Sequence, residues 1–218
     1  LRTRRQRQMC IRDSKFIMIK VASWNVNSIK SRISHLIKYL QSEHSVDVLL
    51  LQELKCENEK FPFQEIEDLG YNIAVHGQKT YNGVAILSKH PIEDITTSLP
   101  GDDQDTHARY IEGVINYDDK CIRVASVYVP NGQSIGSEKF TYKMNFFDRL
   151  YNHLANLIEL NEVTIIGGDY NVAPEKIDVY DSKSLDGTIC FHFDERKKFR
   201  ALLNPVSYTH LTLPTSPK

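Results

Sequence analysis

The segment N-I-A-V-H-G-Q-K-T-Y-N-G-V-A-I-L-S, residues 72 to 88, settles which kind of sheet this chain builds. It holds two apolar runs of strand length, Asn72 to Val75 and Val84 to Leu87, separated by eight residues that end in the turn pair Asn82-Gly83. Parallel neighbours need a crossover of about a dozen residues or more, so these two runs are spaced as an antiparallel hairpin. A doubly wound dinucleotide fold is excluded on the same ground, and no G-x-G-x-x-G follows the first strand.

Outward from this hairpin, further runs of strand length occur at Ile17 to Ser23, Val46 to Leu51, Tyr110 to Ile115, Ile122 to Val129 and Val163 to Ile166. Helical spacing of three and four appears in Ile33, Leu36, Ile37 and Leu40, and again in Phe140, Met144, Phe147, Leu150, Leu154 and Leu157. A weaker helix is expected over residues 194 to 203, with turns at Gly70, Pro91, Pro100-Gly101 and Pro130 to Gly132. No repeat of fixed period is present. Hairpin-spaced strands with long helices at intervals predict an α/β sandwich, sheet packed on sheet with helices outside.

Composition narrows the class. The chain has 218 residues, 41% hydrophobic and 25% charged, which is an ordinary globular balance that excludes disorder as its main character. A chain of this size buries roughly 70% of its unfolded surface around one core. The longest apolar runs, such as Val48 to Leu51, fall far short of the ~20 residues of a spanning helix, so no membrane role is expected. Cys10, Cys56, Cys121 and Cys190 stand far apart, which suggests neither a disulfide framework nor a zinc site and points to a reducing, cytoplasmic setting.

The net charge of −1 conceals an imbalance. Six of the 27 basic residues lie in residues 1–16 and one in 205–218, against a single acid, so residues 17–204 carry 20 basic and 27 acidic groups. That excludes a broad electrostatic footprint for nucleic acid, and any phosphate binding must be local or metal-assisted. The opening L-R-T-R-R-Q-R-Q-M-C-I-R-D-S and the closing P-V-S-Y-T-H-L-T-L-P-T resemble translated sequencing adapter. Residues 1–16 and 205–218 are therefore expected to be non-native and are set aside from the domain at 17–204.

Four strands end in polar clusters: Trp24-Asn25-Val26-Asn27, Gln52-Glu53-Leu54-Lys55, Tyr128-Val129-Pro130-Asn131 and Gly168-Asp169-Tyr170-Asn171. Singly, each has a plainer reading. Asn25 and Asn27 then cap a helix that begins near Ser31, Glu53 is a solvated strand end, Tyr128 is a half-buried sheet residue, and Gly167-Gly168-Asp169 is a tight turn. Together they place carboxylates and amides where a rigid sheet presents side chains to a common mouth. Oxygen donors without cysteine or histidine select a hard cation, Mg²⁺ or Mn²⁺. Phosphoester hydrolysis follows, with Glu53 and amides at the metal and Asp169 orienting or deprotonating a water.

In this order the motifs I-K-V-A-S-W-N-V-N-S-I, L-L-L-Q-E-L-K-C, N-G-V-A-I-L-S-K, R-Y-I-E, Y-V-P-N-G and I-I-G-G-D-Y-N-V-A-P resemble the exonuclease III family of AP endonucleases, within the endonuclease/exonuclease/phosphatase superfamily. The resemblance covers about residues 17 to 204, through D-V-Y-D and the E-R-K-K-F-R-A-L-L helix. It implies a DNase I-like, four-layered sandwich of two mixed β-sheets flanked by helices. It also implies Mg²⁺- or Mn²⁺-dependent hydrolysis of double-stranded DNA at abasic sites and 3′ ends by a monomer. By motif, Glu53 and Asn25 belong to the metal site, Asp169 aligns the water, and Asn171 and Tyr128 contact the phosphate. Asn27, Asn131, Arg109 and Lys55 are the substrate-side residues of the same mouth, and Arg109 and Lys55 each also read as ordinary surface residues.

Departures from the family pattern set further expectations. Ser28 stands where glycine is usual and Leu54 where threonine is common. The family's closing segment, an aspartate shortly before a tryptophan and then S-D-H, is not found: Trp24 is the only tryptophan, and His210 has no preceding aspartate. The fold is thus expected to be incomplete at its C-terminal end, with an unpaired sheet edge, and activity impaired without the charge-stabilising histidine. The alternatives are a non-catalytic RNA- or protein-binding regulator of the same fold, and a phosphoesterase acting on small phosphate esters.

Overall fold

A computed structural model describes residues 18–117, 120–160 and 162–204. The two segments expected to be non-native lie outside the described residues.

Among the described residues, eight strands form two four-stranded sheets. The first holds β1 (Val21–Asn25), β2 (Val48–Gln52), β3 (Asn72–His76) and β4 (Val84–Ser88), in the order β1-β2-β4-β3. The second holds β5 (Ile92–Thr96), β6 (Tyr110–Tyr117), β7 (Lys120–Tyr128) and β8 (Val163–Asp169), in sequence order. Each sheet is antiparallel except for one parallel pair, β1 with β2 and β7 with β8. The parallel pairs are the two places where a helix crosses over: α1 (Ile29–Leu40) joins β1 to β2, and α3 (Glu138–Glu159) joins β7 to β8. Two further helices, α2 (Phe63–Glu67) and α4 (Phe193–Leu203), complete the elements that concern the site. None among the described residues is long and apolar enough to cross a membrane.

Alternation along the strands divides the core into three apolar layers. In β2, Leu49 and Leu51 pack with Ile29, Leu36 and Leu40 of α1, whereas Val48 and Leu50 pack with Ile111, Ile115, Ile122 and Val124 of the other sheet. A third cluster puts Ala125 and Val127 of β7 against Phe146, Phe147 and Leu150 of α3. The order is helix, sheet, sheet, helix, with β1 stacked over β8 and β2 over β7. Among the described residues no strand pairs with the outer edge of β1 or β8, and Val163 at the start of β8 is 54% exposed.

Several local readings change. Strand β8 continues through Gly167 and Gly168 to Asp169, so these glycines are sheet residues rather than a turn. A Cβ on Gly167 would lie 2.8 Å from Leu50 Cδ1, and one on Gly168 would lie 1.9 Å from the Val127 carbonyl oxygen. Both glycines therefore serve close approach of neighbouring strands and sheets. Helix α1 begins at Ile29, two residues before Ser31, and neither Asn25 nor Asn27 caps it, because its N-cap position is Ser28 with no side-chain cap bond. The edge strand β5, I-E-D-I-T, escaped notice because it lacks alternation and carries a register shift between Glu93 and Thr96. The five-residue α2 is too short for helical spacing to register.

A buried polar knot fixes α3 on the second sheet. Glu112 of β6 accepts hydrogen bonds from Tyr110 Oη (2.6 Å) and pairs with His153 Nε2 (2.8 Å) and Arg123 Nη1 (3.5 Å). Burial alone would raise the Glu112 carboxyl, but hydrogen bonds from His153 and Tyr110 and the nearby charges of His153 and Arg123 hold it below the ordinary glutamate value. A lowered folded-state value adds stability that is present above the unfolded value and is lost as pH falls through the folded one. Glu112→Gln should therefore cost about 1–3 kcal/mol at neutral pH. In urea denaturation the gap to wild type should narrow at about pH 4, below the ordinary glutamate value.

Candidate active site

Strand register assembles the mouth. In the parallel pair of the first sheet Asn25 lies opposite Gln52, which puts Glu53 one residue past the strand end. In the second sheet Tyr128 lies opposite Asp169. Parallel neighbours end on the same side, and stacking β1 over β8 brings the two sets of ends together.

The Asn25 side-chain amide joins the sheets. Its Nδ2 donates to Glu53 Oε1 at 2.8 Å and to Asp169 Oδ2 at 2.9 Å, so one NH₂ group spans both carboxylates. The Asn25 Oδ1 accepts from the Asn27 backbone N–H at 3.0 Å. Lys55 Nζ pairs with Glu53 Oε2 at 2.9 Å and also donates to Asn27 Oδ1. On the other side Asp169 Oδ1 accepts from the Asn171 N–H at 2.9 Å, Asn171 Nδ2 donates to the Val129 carbonyl at 2.8 Å, and Asn131 Nδ2 reaches Asn171 Oδ1 at 3.4 Å. Asn27, Lys55, Glu53, Asn25, Asp169, Asn171 and Asn131 thus form one continuous chain of polar contacts.

Tyr128 and Arg109 complete the set. The Arg109 guanidinium lies 4.8 Å from the Tyr128 ring centroid, and its Nη1 donates to the Tyr128 carbonyl at 3.3 Å. Its Nε is buried without a hydrogen-bond partner among the described residues. Burial, then the charge of Glu53, push the Tyr128 phenol up to about 12, so it remains a hydrogen-bond donor at neutral pH. Beside this pair opens a cleft of about 570 Å³ lined by His107, Arg109, Asn131, Gln133, Lys139 and Tyr142.

Burial would raise the Glu53 carboxyl, yet hydrogen bonds from Asn25, Lys55 and Tyr128 outweigh it and hold the group below the usual glutamate value. It is an anion at neutral pH. Its backbone is strained: Glu53 and Lys55 both sit in the left-handed region, at φ 55° and 53°. The hairpin holds them there, because Leu54 N donates to the Gly83 carbonyl and Lys55 N to the Asn82 carbonyl, at 3.1 and 2.9 Å. Gly83, at φ 92°, admits this contact, since a Cβ there would lie 2.8 Å from Leu54 Cβ.

No group of three or more His, Cys, Asp or Glu side chains suited to a metal occurs among the described residues. The donor set at the mouth, two carboxylates with flanking amides, nonetheless fits a hard cation that keeps several of its waters. Glu53 and Asp169 each retain unused lone pairs beside the Asn25 amide. All nine residues expected from the sequence lie in this one mouth. Two that the sequence did not reveal, Lys143 of α3 and Glu195 of α4, lie directly beneath it. Lys143 reads as a polar position on an amphipathic helix, and only its neighbours in space mark it out.

Comparison with known proteins agrees with this geometry. Residues 22–217 match the Endonuclease/Exonuclease/phosphatase family. The chain is 32% identical over 162 residues to exodeoxyribonuclease III of Haemophilus influenzae, an alignment covering 74% of this chain and 60% of that relative. Among solved structures, an AP endonuclease from Archaeoglobus fulgidus superposes with a TM-score of 0.79 at 38% identity, covering 86% of this chain and 70% of the other. A 3′–5′ exonuclease from Neisseria meningitidis superposes at 0.81 with 34% identity, covering 86% and 71%. With two mixed sheets flanked by helices and the family's motifs at their strand ends, the chain belongs to the endonuclease/exonuclease/phosphatase family.

Proposed function

We propose that this chain carries the catalytic centre of a DNA repair nuclease of the exodeoxyribonuclease III type, hydrolysing phosphodiesters of duplex DNA at abasic sites and 3′ ends in the cytoplasm. The observation that carries the reading is the Asn25 amide holding Glu53 and Asp169, from different sheets, within one hydrogen-bonded cluster. The names of the relatives support the substrate class. The chain spans about 60% of the length of the Haemophilus enzyme, so the activity of the whole protein is part of the proposal.

Glu53, with Asn25 beside it, would hold Mg²⁺ or Mn²⁺. When bound, the ion offsets phosphate charge and supplies Lewis acidity. Asp169 orients a water and accepts its proton, being fixed on one oxygen by Asn25 and on the other by the Asn171 N–H. The Asn171 amide spends one proton on the Val129 carbonyl and keeps the second for a phosphate oxygen. With substrate in place the Tyr128 hydroxyl turns its one hydrogen bond from Glu53 to the same phosphate. Arg109, Asn131, Asn27 and Lys55 line the substrate side.

The first test mixes the full chain with an abasic duplex and Mg²⁺. Asp169→Asn should retain duplex binding and lose about 10²–10⁴-fold in cleavage rate, whereas Glu53→Gln should abolish both cleavage and the Mn²⁺-induced rise in melting temperature. Cleavage of a soluble phosphate monoester with the duplex left intact would overturn the substrate assignment. A second test uses Tyr128→Phe. Because the phenol stays protonated until about 12, the loss in rate should be the same factor at about pH 6 and about pH 10. A loss that vanished at the higher pH would mean that the phenol acts as a titrating group.

A further inference from the structure

We propose that Lys143, paired with Glu195, is a positioning residue that sets the spacing of the two phosphate-facing loops; this rests on the nuclease reading above for its functional consequence. Both side chains are fully buried and form an ion pair. Lys143 Nζ has three protons and spends each on a different piece of the molecule. One goes to the Glu195 carboxylate, one to the Asn131 carbonyl at 3.1 Å, and one to the Asn171 carbonyl at 2.7 Å. These carbonyls belong to the loop after β7 and the loop after β8, whose side chains Asn131 and Asn171 face each other across 3.4 Å in the mouth.

The remaining Glu195 oxygen accepts from the His192 backbone N–H at 3.0 Å, closing the capping box of α4. The ammonium therefore ties α3, α4 and both loops to one point. Gly132 makes room for it: at φ 90° it lets the loop pass over the lysine stem, and a Cβ there would lie 3.0 Å from Lys143 Cδ. A buried ion pair is a poor source of stability compared with apolar residues of similar volume, so retaining one directly under the site points to geometry as its use. Neither group faces the cleft. They act through the backbones of Asn131 and Asn171 and touch no substrate.

The test is the double variant Lys143→Met/Glu195→Gln, which removes both charges at once and leaves neither buried alone. Hydrogen exchange should accelerate at least about tenfold at residues 131–134 and 171–173, while β7 and β8 keep wild-type rates. Affinity for a duplex containing a tetrahydrofuran abasic analogue should fall at least about tenfold with Mn²⁺ affinity unchanged. Unchanged exchange in the two segments, or an equal rise throughout α3 and α4, would overturn the proposal and leave the pair a packing element. If the double variant melts below the assay temperature, the milder Lys143→Gln/Glu195→Gln, which also removes both charges and leaves too few donors for both loop carbonyls, should give the same local rise in exchange. Exchange that responds as expected in a protein that binds no abasic duplex would retain the positioning role and refute the nuclease reading instead.

Discussion

Two carboxylates of like charge, one from each sheet, are held side by side by a single amide. Without the Asn25 Nδ2 between them, Glu53 and Asp169 would face each other across a partly buried gap with only Lys55 to offset their charge. The amide supplies two donors at a fixed angle and no charge of its own. It thereby sets the distance between the group read as the metal ligand and the group read as the handler of water. It does this only because β1 stacks directly over β8.

Below that contact lie two buried polar ties. Gln52 Nε2 donates to Ser126 Oγ at 2.9 Å, and Ser126 Oγ donates to the Leu51 carbonyl at 2.8 Å, which locks β2 to β7 across the sandwich. Lys143 and Glu195 lock the outer helices to the strand-end loops. Buried polar groups are costly when unpaired, so each tie tolerates only the arrangement that satisfies it, and the mouth inherits that rigidity. The strained φ of Glu53 is stable for a related reason, since the Asn82 and Gly83 carbonyls accept from the N–H groups of the two residues that follow it.

Much of this was legible beforehand, and the misses have physical causes. The hairpin over residues 72–88 and both amphipathic helices stand where their spacing put them, because period two and period three-to-four are directly visible in the chain. Strand β5 was missed because an exposed edge strand needs no alternation. Gly167 and Gly168 looked like a turn because glycine's two uses, conformational freedom and absence of bulk, look the same in a sequence. Here the second applies. The Asn82-Gly83 pair reads as a turn; in the structure it is the irregular lead into β4, and its role in bracing Glu53 is a contact between segments some thirty residues apart.

The sequence alone determined the architecture and the membership of the mouth, since strand-end motifs and their order are local patterns that survive without coordinates. Tertiary structure decided which of these residues touch, that Asn25 is the bridge, and that a buried lysine supports two loops from beneath. Those facts depend on how two sheets stack and how a helix lies across them. Such contacts join residues up to 144 positions apart, and nothing in a local pattern encodes that distance.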